Sequence, residues 1–234
     1  MRKFIPYTVI AIVIVVIVAL FVGLRGGSYG TIQGKAPDEL SGDPVRGLRI
    51  VVDGRSTIMY RSTTYKLTKI PPGKYTLKAV APNYYDFSKE VKIHRGKNLL
   101  NFAMRGKEIP DLSGIIVFTD SKEEGIQIEV RFTDSKGVGI TDFPCLPIKI
   151  EGTLWKRIGE EENYVKGEKI FEGPIKHFWD SNAYLAKNKG IIPWDKIKVK
   201  PKKDEYGILD VRVHLKQGDF KDTVDDVKLF KEEG

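Results

Sequence analysis

The sequence is poor in cysteine and histidine and lacks the short motifs of common enzymes. Cys145 is the only cysteine, so the chain forms no internal disulfide bond and its stability must come from packed cores. The three histidines, His94, His177 and His214, have no second histidine or cysteine at the spacing of a zinc site. No G-x-S-x-G, Walker or Rossmann glycine pattern occurs. We therefore predict no catalytic residue, no metal site and no cofactor.

The sequence also lacks a long stretch of charge of one sign. Its net charge is +8, but Arg2, Lys3 and Arg25 flank an apolar run, and the rest of the chain holds 36 basic and 31 acidic residues. The two signs are interspersed, as in KPKKDEYG. Proteins that bind nucleic acids concentrate basic residues more strongly than this. We therefore expect no nucleic-acid partner.

One long apolar run lies near the N-terminus, where Phe4 to Leu24 form 21 residues without a charge. A helix of this length rises ~31 Å, which matches the hydrocarbon core of a bilayer. Arg2 and Lys3 precede the run, and the positive-inside rule places that end in the cytoplasm. The alternative is a cleaved signal peptide, although its apolar stretch is usually only ~7–15 residues and ends at an A-x-A site. We predict a single-pass transmembrane anchor at residues 1–27.

After the anchor, apolar and polar residues alternate over short runs that turn residues separate. This pattern is typical of β-strands. Leu48 to Val52 are followed by Asp53-Gly54, which favours a two-residue hairpin turn. The segment Ile70 to Gly73 reads IPPG and predicts another turn, with Gly73 at a positive φ.

A domain boundary is predicted at the polar segment RGKEIPD, residues 105–111. Five or more short strands precede it without a convincing helix, and at least as many follow it. The fold class is therefore predicted to be all-β, with one sandwich at residues 28–105 and a second at residues 106–234.

The first sandwich resembles the carboxypeptidase regulatory-like (transthyretin-like) family and its PEGA-type relatives over about residues 30–103. Four motifs carry the resemblance: Pro44-Val45-Arg46-Gly47, Asp53-Gly54, Ile70 to Leu77, and Ala81 to Tyr85. It implies a Greek-key sandwich of about seven strands without catalytic or metal-binding residues. Such modules serve for folding, spacing or attachment in secreted and surface proteins. The resemblance also implies that one of Tyr84 and Tyr85 packs inward.

The second sandwich loosely resembles the immunoglobulin-like domains of archaeal cell-surface proteins. The phrases IEVRFTDSKGVGI, PIKIEGTLW and YGILDVRVHL carry this resemblance. The sequence FTDSK occurs at residues 118–122 and again at 132–136, and it predicts two turns that bracket a strand at 126–132. A calcium loop would need more oxygen ligands at fixed spacing than either copy offers.

Candidate binding residues lie in the least regular part of the second sandwich. Trp179, Tyr184 and Trp194 are the candidates, because exposed aromatic rings stack on sugars in carbohydrate-binding modules. A short helix is predicted around residues 182–188. Trp155 lies on an alternating strand and is expected to belong to the core.

These patterns predict a non-catalytic protein of a prokaryotic, archaeal envelope. Its anchor lies in the cell membrane, its N-terminus in the cytoplasm and its body outside the cell. Its expected partners are the membrane and other envelope proteins or subunits of a membrane complex, for which it acts as a spacer or binding module. The alternative is a carbohydrate-binding module for envelope or extracellular glycans.

Overall fold

A computed structural model of the chain describes residues 29–159, 163–200 and 202–230. Within these ranges the chain forms 14 strands and one three-residue 3-10 helix, so the all-β prediction is confirmed. None of the described residues belongs to a helix long and apolar enough to cross a bilayer. The predicted anchor at residues 1–27 lies outside the described ranges and stays a prediction.

The chain divides into two compact units. The first contains Pro44–Met104 and the chain up to Pro37, and the second contains Asp38–Asp43 and the chain from Arg105 onward. The short segment in the second unit is a turn in which Asp38 Oδ1 accepts hydrogen bonds from two backbone N–H groups, at 2.8 and 2.9 Å. Each unit has its own buried apolar cluster.

Seven strands form the first unit: β1 Gly30–Lys35, β2 Leu48–Val52, β3 Arg55–Met59, β4 Thr64–Ile70, β5 Gly73–Val80, β6 Phe87–Ile93 and β7 Gly96–Leu99. They make a three-stranded sheet in the order β4-β1-β7 and a four-stranded sheet in the order β3-β2-β5-β6. Neighbouring strands are antiparallel except β1 and β7, which are parallel. The expected seven-stranded sandwich is therefore present.

The alternating residues of these strands build the first core. Leu48, Ile50 and Val52 of β2 are fully buried, and Leu77 of β5 lies among them in the same cluster. Burial of every second residue matches the two-residue period of a strand. This core is what fixes the register of the two sheets.

Tyr84 and Tyr85 follow β5. Tyr84 packs against the first core and Tyr85 is exposed. The expectation that one of the two tyrosines packs inward is therefore confirmed.

Two turns of the first unit were predicted from glycine, with different outcomes. Asp53 and Gly54 have φ of 52° and 70°, which is the geometry of a type I′ hairpin turn and confirms the prediction. The prediction for Gly73 was wrong, because the positive φ of the next turn falls on Lys69, at 60°. Gly73 instead starts β5, and Tyr75 lies over it, with its hydroxyl oxygen 3.1 Å and its nearest ring carbons 3.2 Å from where a Cβ atom would be.

Seven further strands form the second unit: β8 Leu112–Ser121, β9 Gly125–Asp134, β10 Lys149–Ile158, β11 Val165–Trp179, β12 Asn188–Pro193, β13 Tyr206–Leu215 and β14 Gly218–Lys228. They form one sheet in the order β14-β13-β10-β11-β12-β9-β8. The 3-10 helix, Trp194–Lys196, follows β12.

The long strand β11 joins the two halves of this sheet. Its first part pairs with β10 as far as Ile175, and its last part pairs with β12 from Lys176 onward. Gly173, at φ 154°, and Pro174 lie just before the change of partner. The second unit is therefore one sheet that folds over its own core, as a sandwich close to a barrel.

Side chains link the two edge strands of the second unit. The backbone N–H of Val117 on β8 donates to Asp222 Oδ2 on β14 at 2.7 Å, and the Ser121 hydroxyl donates to the Lys228 carbonyl at 2.7 Å. Edge strands expose unpaired backbone groups that invite association. Asp222 supplies the acceptor for one such group, the backbone N–H of Val117, which is buried away from water.

Replacing Asp222 tests this closure. We expect Asp222→Ala to lower the free energy of unfolding by about 1–3 kcal/mol, because the buried N–H of Val117 loses its acceptor. Asp226→Ala removes the same charge from an exposed neighbouring position and is the control. Urea unfolding followed by tryptophan fluorescence measures the difference. Equal losses in both variants would show that Asp222 acts only through its charge.

The repeated FTDSK motif forms turns, as predicted. Ser121 pairs with Ile126 across the tight β8–β9 hairpin. After β9, Asp134 Oδ1 accepts hydrogen bonds from the backbone N–H groups of Lys136 and Val138 at 2.9 and 2.8 Å. The carboxylate of this copy therefore stabilises its own turn.

Candidate binding surface

The predicted aromatic segment contains a loop between β11 and β12, and no helix forms at residues 182–188. Asp180 holds the loop, because its Oδ1 accepts the backbone N–H groups of Asn182 and Ala183, at 3.0 and 3.3 Å. Aspartate competes with helix formation in this way, and so the helix prediction was wrong. The Lys189 ammonium donates to Asp180 Oδ2 at 2.8 Å and, with the backbone donors, lowers the pKa of Asp180 below its usual value.

Trp179 belongs to the packed interior more than to the surface. It ends β11, and its ring meets the edge of Phe143 with centroids 5.7 Å apart. Its indole N–H is buried without an acceptor among the described residues. Asn188 pairs with Trp179 across the strands, and its side-chain amide nitrogen is likewise buried without a partner in the described ranges.

Trp194 lies at the opposite end of β12 from Trp179. Asn188 at the start of β12 faces Trp179, and Trp194 follows the last residue of the strand. A strand of this length spans ~17–20 Å. The Trp194 indole donates to the Lys122 carbonyl at 2.9 Å, and its ring packs against the core. The two tryptophans therefore do not form one stacking platform.

Tyr184 is the exposed member of the three candidates. Its side chain is 76% exposed on the loop that Asp180 holds. Leu185 beside it packs against Gly139, where a Cβ atom would lie 2.8 Å from its Cδ2. Packing of Leu185 thus supports the loop and leaves the tyrosine ring open to solvent.

Trp155 lies on the outer face of β10, so its assignment to the core was wrong. Leu154 is the buried residue of this pair, and the Trp155 indole instead donates to Asp210 Oδ2 on β13 at 3.2 Å. The ammonium groups of Lys166 and Lys169 lie 5.9 and 5.6 Å from its ring centroid. Ile148, Ile150 and Leu154 share one alternation phase, which already indicates that Trp155 points the other way.

Asp210 is the centre of a polar cluster beside this ring. It accepts hydrogen bonds from Lys166 at 2.7 Å and from the Thr223 hydroxyl at 2.9 Å. Partial burial raises the pKa of Asp210, but these donors outweigh it and lower that pKa below its usual value. The carboxylate thus stays ionised and fixes the indole in place.

Arg157 occupies a second aromatic cluster on the same face. Its guanidinium lies 4.8 Å from the ring centroid of Tyr206 and 5.5 Å from that of Tyr164. The Tyr164 hydroxyl donates to the Asp225 carboxylate, which raises the pKa of Tyr164. Cation–π contacts at these distances stabilise an exposed sheet face.

The outer face of β8, β9, β12 and the end of β11 carries exposed apolar side chains. Ile116, Phe118 and Phe178 are 42%, 43% and 43% exposed, and we call this surface the outer apolar face. Phe118 and Phe178 lie in one cross-strand row, with Glu129 and Lys189 between them. Contiguous apolar patches on a protein surface often mark interaction sites, and Ile116 and Phe118, two residues apart on β8, are the contiguous apolar part of this face.

Cations lie on the rings of this face. The Arg131 guanidinium lies 4.0 Å from the centroid of the Phe118 ring, and the Lys176 ammonium lies 5.0 Å from that of Phe178. Arg131 also pairs with Glu129 at 3.2 Å. The face therefore combines apolar rings with the Arg131–Glu129 ion pair and the Lys176 ammonium, and the sequence indicates it only through the alternating Ile116 and Phe118.

The cysteine and the acidic residues near the end of β14 are held in protein contacts. Burial, with added repulsion from Asp38 and Asp43, raises the pKa of Cys145 to about 12, so its thiol stays protonated. Asp222 and Asp225 lie on β14, and each accepts a hydrogen bond from another residue of the chain. Within residues 29–159, 163–200 and 202–230, no three His, Cys, Asp or Glu side chains gather as metal ligands would.

Two histidines have shifted pKa values of opposite direction. Burial lowers the pKa of His177, although its hydrogen bond to Asn188 Oδ1 at 3.1 Å opposes the shift. The hydrogen bond to Asp219 at 2.8 Å, with support from Glu151, raises the pKa of His214.

Acidification therefore has opposite effects through the two histidines. As the pH falls below about 6.5, His177 takes up a proton more readily in the unfolded chain than in the folded one, so its contribution lowers the free energy of unfolding. His214 takes up a proton more readily in the folded chain, so its contribution raises the free energy of unfolding below about pH 6.5 and disappears as the pH rises through its raised pKa. Between pH ~7.5 and ~5.5, His177→Gln should lose less Tm than the parent and His214→Gln should lose more. Shifts of the same sign in both variants would contradict this assignment.

The PEGA domain family model matches residues 44–103, which supports the expected PEGA-type β module in the first unit. No curated protein matches the chain significantly. Among solved structures, a DUF3823 family protein from Parabacteroides merdae is 12% identical, with a TM-score of 0.29, over 86% of this chain and 100% of that protein.

Two further structures are similar to the same extent. A DUF3823 family protein from Bacteroides ovatus is 13% identical over 85% of this chain and 97% of that protein, with a TM-score of 0.27. A "putative carbohydrate binding protein" from Bacteroides uniformis is 13% identical over 83% of this chain and 98% of that protein, with a TM-score of 0.27. None of the three is described as an enzyme or as immunoglobulin-like, so the latter resemblance stays a prediction.

Proposed function

We propose that this chain is a non-catalytic binding protein of a cell envelope, archaeal if the loose resemblance of its second unit holds. Phe4 to Leu24 anchor it in the membrane, and both β units lie outside the cell. The observation that carries the binding role is the outer apolar face of the second unit, with Ile116, Phe118 and Phe178 exposed.

The occupant that fits this face is another envelope or membrane protein. Apolar side chains of the partner would cover Ile116 and Phe118, and desolvating such groups drives protein association. A partner carboxylate would meet the Lys176 ammonium, which lies on the Phe178 ring. Aromatic residues and arginine are enriched at the centre of protein interfaces, and Phe118 lies under the Arg131 guanidinium here.

A native-membrane pull-down with matched variants tests this role. We expect the full-length chain to retain a stoichiometric membrane partner and Phe118→Ser with Phe178→Ser to lose it. The control, Ile158→Ser with Val165→Ser, removes two apolar groups that are more exposed than Phe118 and Phe178, at the β10–β11 hairpin, and should retain the partner. Retention by both double variants would remove the outer apolar face as the binding surface.

The proposed topology has its own test. Protease added to intact cells should digest the body and leave an N-terminal fragment in the membrane. A body that resists the protease in intact cells, but not after lysis, would overturn the extracellular placement.

Glycan binding is the second candidate, and Tyr184 favours it. Its ring is the one candidate ring of the predicted segment that the solvent reaches freely. Retention of the full-length chain on cell-wall polysaccharide, and its loss in Tyr184→Ala but not in Tyr184→Phe, would support this function. A chain that elutes unretained would exclude it for that polysaccharide.

A further inference from the structure

The two units differ in charge far more than the whole chain suggests. Residues 29–37 and 44–104 hold 13 Lys and Arg against three Asp and Glu, a net charge of +10. Residues 38–43 and 105–234 hold 23 basic and 28 acidic residues, a net charge of −5. The mild bias of the full sequence therefore arises because the positive charge of the first unit and the negative charge of the second partly cancel.

The basic side chains of the first unit are exposed and not neutralised. All 13 are exposed, and none forms an ion pair with any residue in the described ranges. Like charges on a small domain repel and cost stability unless an anion lies nearby. This distribution suits an anionic partner.

Basic residues surround both turns at one end of the first unit. The β4–β5 turn lies in KIPPGK, residues 69–74, and the β6–β7 turn lies in KIHRGK, residues 92–97. Neither segment contains an acidic residue. Lys74 and Lys92 pair directly across β5 and β6. Like charges placed opposite each other destabilise a sheet, so this end is organised for an anion more than for stability.

The chain enters the first unit at this same end. Gly30, the first residue of β1, pairs with Ile70 on β4 and with Gly96 on β7. The apolar run ends at Leu24, six residues earlier, and six extended residues reach at most about 20 Å. If the run is the proposed anchor, both basic turns lie close to the membrane surface.

We propose that this basic end, formed by residues 69–74 and 92–97, docks the first unit on the anionic phospholipid headgroups next to the anchor. The proposal rests on the anchoring role given above. Headgroup phosphates attract juxtamembrane Lys and Arg within about 10 Å of the surface, and each such residue strengthens binding by about fivefold. Docking would orient the first unit and direct its opposite end away from the bilayer.

The test uses the full-length chain in lipid nanodiscs. Pro71→Cys places a thiol in the exposed β4–β5 turn for a polarity-sensitive dye, and the buried Cys145, with its pKa raised to about 12, stays unlabelled. We expect a blue shift of the dye in discs that contain phosphatidylglycerol, and none in discs of phosphatidylcholine. High salt should reverse the shift.

Two charge variants locate the effect. Replacing Lys69, Arg95 and Lys97 by Gln should abolish the shift, since all three lie at the basic end. Replacing Lys35, Arg46 and Arg61 by Gln removes the same charge from the opposite end, because Lys35 pairs with Thr64 at the start of β4, and should leave the shift intact. Equal loss in both variants, or no shift in anionic discs, would overturn the proposal.

The same experiment separates this proposal from the anchor and from another partner. If the full-length chain does not stay bound to phosphatidylcholine discs when the discs are separated from free protein, the anchor itself is refuted. If it stays bound to the discs but the dye shows no lipid-dependent shift, only the docking is refuted. A shift caused by added polyphosphate, but not by phosphatidylglycerol, would assign the basic end to an acidic polymer and overturn membrane docking.

Discussion

Phe132→Ala is expected to lower the free energy of unfolding of the second unit by about 3–5 kcal/mol. The Phe132 side chain is 1% exposed, and its ring meets the edge of Phe143 with centroids 5.2 Å apart. Phe143 in turn packs on Trp179. Removing the Phe132 ring therefore leaves a cavity next to Phe143 and Trp179. The paired strands around this cavity cannot move in to fill it.

Tryptophan fluorescence reports this loss without interference from the first unit. Trp155, Trp179 and Trp194 all belong to the second unit. The free energy of unfolding from the urea-induced fluorescence change should fall in Phe132→Ala and stay within about 0.5 kcal/mol of the parent in Val138→Ala, which alters an exposed side chain. A loss below about 1 kcal/mol in Phe132→Ala would mean that this ring is not central to the core.

Much of the fold could be predicted from local pattern. The alternation of Leu48, Ile50 and Val52 and the following Asp53-Gly54 turn place a hairpin, because both signals depend only on neighbouring residues. The change of partner along β11 had no comparable signal. Whether Ile175 pairs with β10 or β12 depends on residues far away in the sequence, which alternation does not encode.

The exposure of the candidate rings follows less directly from the sequence than the strands do. Trp179 and Trp194 are aromatic residues in an irregular segment, and that composition does not distinguish a ring on the surface from a ring against the core. Trp155 was wrongly assigned to the core because it is a large aromatic residue, although the alternation along β10 places it on the outer face. The charge of the first unit was missed for another reason, since counting over the whole body cancels the opposite charges of two units.

Gly34→Ala should have the largest effect of any conservative change in the first unit. A Cβ atom on Gly34 would lie 1.8 Å from the carbonyl oxygen and 2.6 Å from the carbonyl carbon of Leu100. The clash is with backbone, so no side-chain rotation relieves it. The segment after β7 lies tightly along β1, where the backbone N–H of Leu100 donates to Gln33 at 3.0 Å and that of Phe102 donates to Lys35 at 3.0 Å. Overpacking of this kind costs about 3 kcal/mol or more.

Hydrogen exchange measured by mass spectrometry resolves this change, since the described part of the first unit contains no tryptophan. In Gly34→Ala, we expect peptides that cover β1 and residues 99–102 to lose protection by about 100-fold or more, the factor that ~3 kcal/mol implies. The Tyr65 hydroxyl donates to the displaced Leu100 carbonyl at 2.8 Å, and burial raises the pKa of Tyr65 to about 12, so that pKa should fall toward its usual value as the contact opens. Gln33→Ala, on the outward side of the same strand, should leave both readouts nearly unchanged. Protection that survives in Gly34→Ala would show that β1 and the segment after β7 separate at little cost, and that β1 is held chiefly by β4.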